Sequence, residues 1–383
     1  MSLQIFDLYE RVLIPLTPPP AVVRIMELVM QGGETTEDFA KVLARDSELQ
    51  YWIRLTVQRL GFDKRVSKLD QMITLLGQNR IRDLLIGRDI ERRYVLPAET
   101  LRAKLLAQKE KASESGTASQ AAGALDDLSE TIPPLAEFAV YSEFARRAEE
   151  VAVTIRNSYP SQAFAGGVIF DYVKYFLRGV KTDDLQDTRL QKTDAYLEEI
   201  FLDGLRCGVA ANEIIQKINI PHQRTVFVTA LVHNIGKALL LAYSPKDFEK
   251  AFLGSTGAEK GTKRIESTEA ETEVFDLDHA QVGSLYLGRL PYLVEIERSV
   301  DYHHKPHMLR FANPKLYALC CVLRVSGALV KLYERSRKED SNTDKIRDQK
   351  LIASEDFKFL KLNEQDWNEI KANYALKLMK IGI

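Results

Sequence analysis

All six histidines of this 383-residue chain lie between His222 and His307. Imidazole titrates near neutral pH and binds borderline cations, so their crowding marks the region where chemistry would be done. Three segments carry the crowd: LVHNIGKALLL (231–241), DLDHAQVGSLYLGRL (276–290) and YHHKPH (302–307). Metal-assisted chemistry needs imidazoles and carboxylates around one or two cations that activate water. In the first segment His233 is followed by Asn234, an amide that offers one neutral oxygen where a carboxylate would bring charge and bridge two ions. A histidine taken alone usually reads as a core or surface residue without a ligand; for the cluster, that reading and a functional one both stay open.

The elements that must position these residues are helices. Val22, Ile25, Met26 and Val29 fall on one helical face, and Thr35 with Asp38 forms a capping-box pattern ahead of Phe39, Val42 and Leu43. Asp46-Ser47 starts a third helix with Leu49, Trp52, Ile53 and Leu60 inward. Ser67 and Asp70 start a fourth, with Leu69, Met72, Ile73 and Leu76, that Gly77 stops; Ile81, Leu84 and Leu85 line a fifth. Composition turns small and polar between about 105 and 135, as in a flexible linker or insertion. Helical periodicity returns from Phe138 to about Leu332, interrupted by a polar stretch at 253–273 that reads as a surface loop. A terminal helix with Trp367, Ile370 and Tyr374 on one face reads as a docking element. The segment 164–177 aligns without gaps on 227–240, which leaves open either duplication of a helical unit or chance similarity of two buried helices. Alternating β-type runs are scarce, so the expected fold is all-α. The expected division is an N-terminal helical lobe (1–104), a linker (105–135), a second helical lobe (136–335) packed on the first, and a polar loop with the docking helix (336–383).

The order apolar-apolar-His-Asn-Ile-Gly-Lys, then His279-x-x-x-Gly283, then Tyr302-His303-His304, resembles the HD superfamily of metal-dependent phosphohydrolases. PLTPPPAVVRIMELV, ARDSELQYWIRL and LDQMITLLGQNRIRDLLIG resemble the opening of one of its branches, the HDOD (HD-related output domain) family. The resemblance covers roughly 14–90 and 195–330. It implies an N-terminal helical lobe followed by an HD-like lobe, and a role in bacterial signal transduction. Carried over residue by residue, the superfamily's central metal site falls on Asp203, His233, Asn234 and Ser326, where a full site would show His, His, Asp and Asp. That set keeps at most one anionic ligand, so a degenerate site holding no metal or cofactor is expected. His279, His303 and His304 resemble the extra ligands of two-metal cyclic-dinucleotide phosphodiesterases, although HHKPHMLRF lacks the Gly-Tyr-Pro segment found near them. They are read as a ligand pocket or as structural residues.

Bulk properties exclude several classes. A net charge of -1 gives no global field toward nucleic acid or acidic membranes. The helix-turn-helix reading of SKLDQMITLLGQNRIRDLLIG, with Arg80 and Arg82 outward, is opposed by Asp70 and Asp83. No apolar run is read as long enough to span a bilayer, and the acidic N-terminus does not read as a signal peptide, so a cytoplasmic location is expected. Cys207, Cys320 and Cys321 lack metal-type spacing and read as reduced core residues. The expected function is a non-catalytic regulator that acts as an interaction platform for signalling proteins. The alternatives are a phosphohydrolase with an altered ligand set (Asp203, His233, His279, His303, His304) and a cyclic-dinucleotide sensor that does not hydrolyse its ligand.

Overall fold

A computed structural model describes residues 5–13, 20–31, 35–59, 66–77, 81, 187–218, 223–253, 267–290, 294–336 and 348–381. The expected linker at 105–135, the segment 164–177, and Arg80 and Arg82 lie outside the described residues. Among the described residues every regular element is helical and no strand occurs. The chain is all-α.

The N-terminal helices are α1 (Ile5–Leu8), continued by a π-helical turn (Tyr9–Leu13), then α2 (Pro20–Gln31), α3 (Thr36–Leu43), α4 (Ser47–Arg59) and α5 (69–77). Their starts follow the sequence signals. Thr35 Oγ1 accepts the Asp38 N–H at 3.3 Å while Asp38 Oδ2 accepts the Thr35 N–H at 3.1 Å, closing the capping box. Asp46 Oδ1 accepts the Leu49 N–H at 3.0 Å, so Asp46 caps α4. Gly77 stands at φ +74°, the left-handed conformation that ends a helix with least strain in glycine. Leu8, Val12 and Leu13 are buried, and the N-terminal turn reaches the second lobe directly. Tyr243 Oη donates to Asp7 Oδ2 at 2.8 Å, and the Arg289 guanidinium lies 5.8 Å from the centre of the Tyr9 ring.

The second lobe is built on α6 (Asp187–Ile215), which packs against α7 (Gln223–Val232) and α13 (Pro314–Ser336). Between them run α8 (Ile235–Tyr243), α9 (Pro245–Leu253), α10 (Ser267–Phe275), α11 (His279–Leu287) and α12 (Val294–Tyr302), followed by a 3-10 turn at Pro306–Leu309. After α13 come α14 (348–352), α15 (Glu355–Phe359) and α16 (Glu364–Ile381). The last of these buries Trp367, Ile370, Tyr374 and Leu378 and lies along α6. Lys217 pairs with Glu369, and Lys377 neutralises the buried carboxylate of Glu213.

Two points differ from the sequence reading. Residues 267–273 of the supposed surface loop belong to the helix that ends at Phe275, with Phe275 buried and Glu271 fully enclosed. The stretch is polar by composition because Glu271 finds its partner only in the tertiary structure. Second, 225–243 and 314–335 are long and apolar enough to cross a membrane, since α7 and α8 follow one another with only the turn at 233–234 between them. In the fold 83% and 67% of those apolar stretches are buried, as in core helices.

Candidate functional site

Close backbone contacts assemble the site. A Cβ on Gly204 of α6 would lie 2.1 Å from the Leu231 carbonyl oxygen of α7, so only glycine lets the two helices touch there. Asp203 is thereby set beside the turn after α7, and Asn234 Nδ2 donates to Asp203 Oδ2 at 2.7 Å. A Cβ on Gly236 would meet the His279 carbonyl oxygen at 1.8 Å and Gly283 N at 2.8 Å. The Gly236 of the first motif and the His279-x-x-x-Gly283 of the second are two sides of one contact between α8 and α11.

Around Asp203 the charge is meagre. Asn234 is buried and holds the carboxylate with an N–H, doing for Asp203 what a cation would do in a full ligand set. Ser326, fully buried on α13, turns its hydroxyl onto its own helix and donates to Val322 O at 2.7 Å. One helical turn beyond Asp203, Cys207 brings its sulfur within 4.8 Å of ligand atoms of Asp203 and His233. Burial and the Asp203 charge push the Cys207 thiol well above its ordinary range. Lys237, one turn into α8, is pulled down by burial and pulled back up by the carboxylates of Asp203 and Glu271. Of the Asp203 carboxylate, Oδ2 is engaged by Asn234, and neither Asn234 nor Ser326 adds a charge that would attract a divalent cation.

The outer histidines are arranged differently. Asp278 caps α11 in a box with Gln281, Asp278 Oδ1 accepting the Gln281 N–H at 2.9 Å, and this fixes His279 at the first helical position. Glu271 Oε2 accepts the His279 backbone N–H at 2.6 Å and lies 2.7 Å from His279 Nδ1; both side chains are fully buried. His303, just past the end of α12, directs Nδ1 at Val300 O across 2.6 Å, and His233 does the same to Ala230 O at 2.6 Å. With Nδ1 donating, each ring keeps Nε2 as a lone pair. His303 Nε2 is buried and finds no hydrogen-bond partner. His279 Nε2 and His304 Nε2 stand 3.0 Å apart, and ligand atoms of His279, His303 and His304 all lie within 4.8 Å of one another. The His233 and His303 rings meet edge-on at 5.3 Å between centres, joining the two halves of the site. Burial holds His279 and His303 well below the ordinary imidazole range, and His304 below it at the more exposed mouth, so the pocket is lined by neutral rings.

The structure thus brings Asp203, His233 and Asn234 together, and separately His279, His303 and His304. Sequence reasoning passed over Glu271 and Cys207. Cys207 carried a signal, its position four residues after Asp203 on one helix face. Glu271, in a polar run, carried none.

With that geometry in place, comparison with known proteins is informative about family. No curated protein matches the chain. Among solved structures it is similar to an HDOD domain protein of unknown function from Geobacter sulfurreducens, at 13% identity over 94% of this chain and 92% of that one, TM-score 0.42. It is also similar to a protein described as a candidate phosphohydrolase from Shewanella amazonensis SB2B, at 10% identity over 98% and 97%, TM-score 0.47. Neither likeness bears on activity. The sequence model of the HDOD domain matches residues 179–306, the stretch that contains Asp203, the His233-Asn234 turn and all three outer histidines. Residues 179–306 are thus the part of the chain that is similar to the HDOD domain.

Proposed function

We propose that the chain is a non-catalytic regulator of bacterial signal transduction, a cytoplasmic platform on which signalling or regulatory proteins assemble. The observation that carries the non-catalytic reading is the 2.7 Å hydrogen bond from Asn234 to Asp203. It engages the one carboxylate of the central set with a protein donor, and Ser326 leaves no second carboxylate to share a cation. Without a central metal there is no Lewis acid to lower the pKa of an attacking water. Exposed Met308 and Phe311, just after the histidine pair, and exposed Leu376 and Met379 on α16 support a surface that meets other proteins. Affinity purification of the full chain from its native host tests the platform. A specific partner that is retained when His233 is replaced by Ala is expected, because the interaction needs no metal chemistry. Recovery of the chain alone under gentle conditions contradicts it.

A second reading concerns the outer histidines and departs from the expectation that no metal is held. It is favoured by the buried, unpartnered His303 Nε2. In His279 and His303 Nδ1 already donates, and Nε2 offers a lone pair that suits a cation and not the oxygens of a phosphate. The pocket therefore fits a borderline divalent ion better than it fits direct recognition of a cyclic dinucleotide. Held by three neutral ligands, such an ion would serve structure or signalling. Metal content after dialysis tests this reading: a stoichiometric transition metal supports it, and none, with no uptake on addition, contradicts it.

A further inference from the structure

We propose that Glu271 is the positioning residue of the histidine pocket, fixing His279 so that its Nε2 faces His303 and His304 as a lone pair ready for a Zn²⁺-class cation. The inference rests on the second reading above and adds to it a residue that belongs to none of the histidine segments.

Three observations carry it. First, Glu271 reaches His279 twice, taking the backbone N–H at 2.6 Å and facing ring Nδ1 at 2.7 Å from Oε2 and 2.9 Å from Oε1. A carboxylate can only accept, so ring Nδ1 must carry the hydrogen and Nε2 must be bare. Second, both side chains are fully buried, so no water competes for either contact. A carboxylate enclosed this way orients a ligating imidazole and makes its far nitrogen a better donor to a cation. Third, His303 Nε2 is bare and orphaned nearby, its own Nδ1 held by Val300 O. The outer ligand atoms span 3.0 Å to no more than 4.8 Å. Two nitrogens on one zinc ion at tetrahedral angles stand about 3.4 Å apart, inside that span.

The lock also explains why glutamine would not serve. Its carbonyl oxygen could take the place of Oε2, but its NH₂ would then stand where Oε1 faces ring Nδ1 at 2.9 Å. That NH₂ would oppose the Nδ1–H, or donate to Nδ1 and move the ring hydrogen to Nε2. The cation-facing atom would become an N–H.

The test uses the full chain. Long-range ¹H–¹⁵N spectra of the metal-free wild type are expected to show His279 in the Nδ1–H form. Titration with Co²⁺ is expected to give the visible bands of a tetrahedral site, lost in H303A. In E271Q the His279 tautomer shifts toward Nε2–H and Co²⁺ and Zn²⁺ bind about 10- to 100-fold more weakly, with partial recovery in E271D. An Nε2–H form of His279 in the wild type overturns the proposal, and this readout stands even if E271Q fails to fold. Equal affinity in wild type and E271Q overturns the role of Glu271 and leaves the pocket intact. Absence of Co²⁺ and Zn²⁺ binding in the wild type overturns the pocket itself and the proposal with it.

Discussion

Asn234 donates to Asp203 across 2.7 Å, an amide holding a carboxylate where a metal site would set two carboxylates around a cation. The pair is complementary only without a metal. Restoring the carboxylate with N234D removes the donor and places two like charges in contact. In chelated protein this is expected to lower the unfolding free energy by about 2 kcal/mol. Urea melts of both proteins in chelator check this; equal stability at pH 7.5 would count against the pair.

The buried imidazoles give the fold a pH dependence of definite sign. Burial sets the folded-state pKa of His279 and His303 well below the value of about 6.5 expected when unfolded. Below pH 6.5 the unfolded chain binds protons that the folded chain refuses, so the stability is fully present above that pH and is lost as pH falls. Each of the two rings contributes about 1.4 kcal/mol in all between pH 7.5 and 5.5, with a slope that steepens as pH falls. Urea unfolding followed from pH 7.5 to 5.5 measures it. A flat profile would mean that the rings are charged or solvated in the folded state.

Much of this was legible in the sequence, and the failures have physical causes. Capping at Thr35 and Asp46 and the stop at Gly77 are local events whose partners lie within four residues, so composition and spacing reveal them. The Asp203, His233 and Asn234 grouping came from family resemblance and could not have come from spacing, since the hydrogen-bonded residues are 31 apart. Glu271 was hidden because a glutamate in a run of polar residues has no local signature of burial. The position of its partner His279 is set by the touching backbones of α8 and α11.

That contact makes Gly236 the residue least able to change. A methyl group 1.8 Å from the His279 carbonyl oxygen cannot be accommodated by a side-chain rotation, because the obstacle is backbone. G236A is expected to destabilise the fold by about 3 kcal/mol or more and to displace His279 from its partners. Thermal melts give the first number, and the His279 imidazole resonances report the second. Wild-type behaviour in both would refute the contact.

The three cysteines should be silent in the native state. Cys207, Cys320 and Cys321 are buried, and burial pushes all three thiols up, Cys320 to about 12. A thiol-specific reagent at pH 8 is expected to label none until denaturant is added, and then all three. Rapid native labelling of Cys207 would show an open central site.

The measurement that most directly tests the central claim is turnover of phosphodiester substrates, cyclic dinucleotides included, by the full chain supplied in turn with Mn²⁺, Fe²⁺ and Zn²⁺. With Asn234 holding Asp203 and Ser326 turned to its own helix, no hydrolysis above the protein-free rate is expected with any metal. Metal-dependent turnover that disappears in H233A would contradict the account and establish the chain as an enzyme.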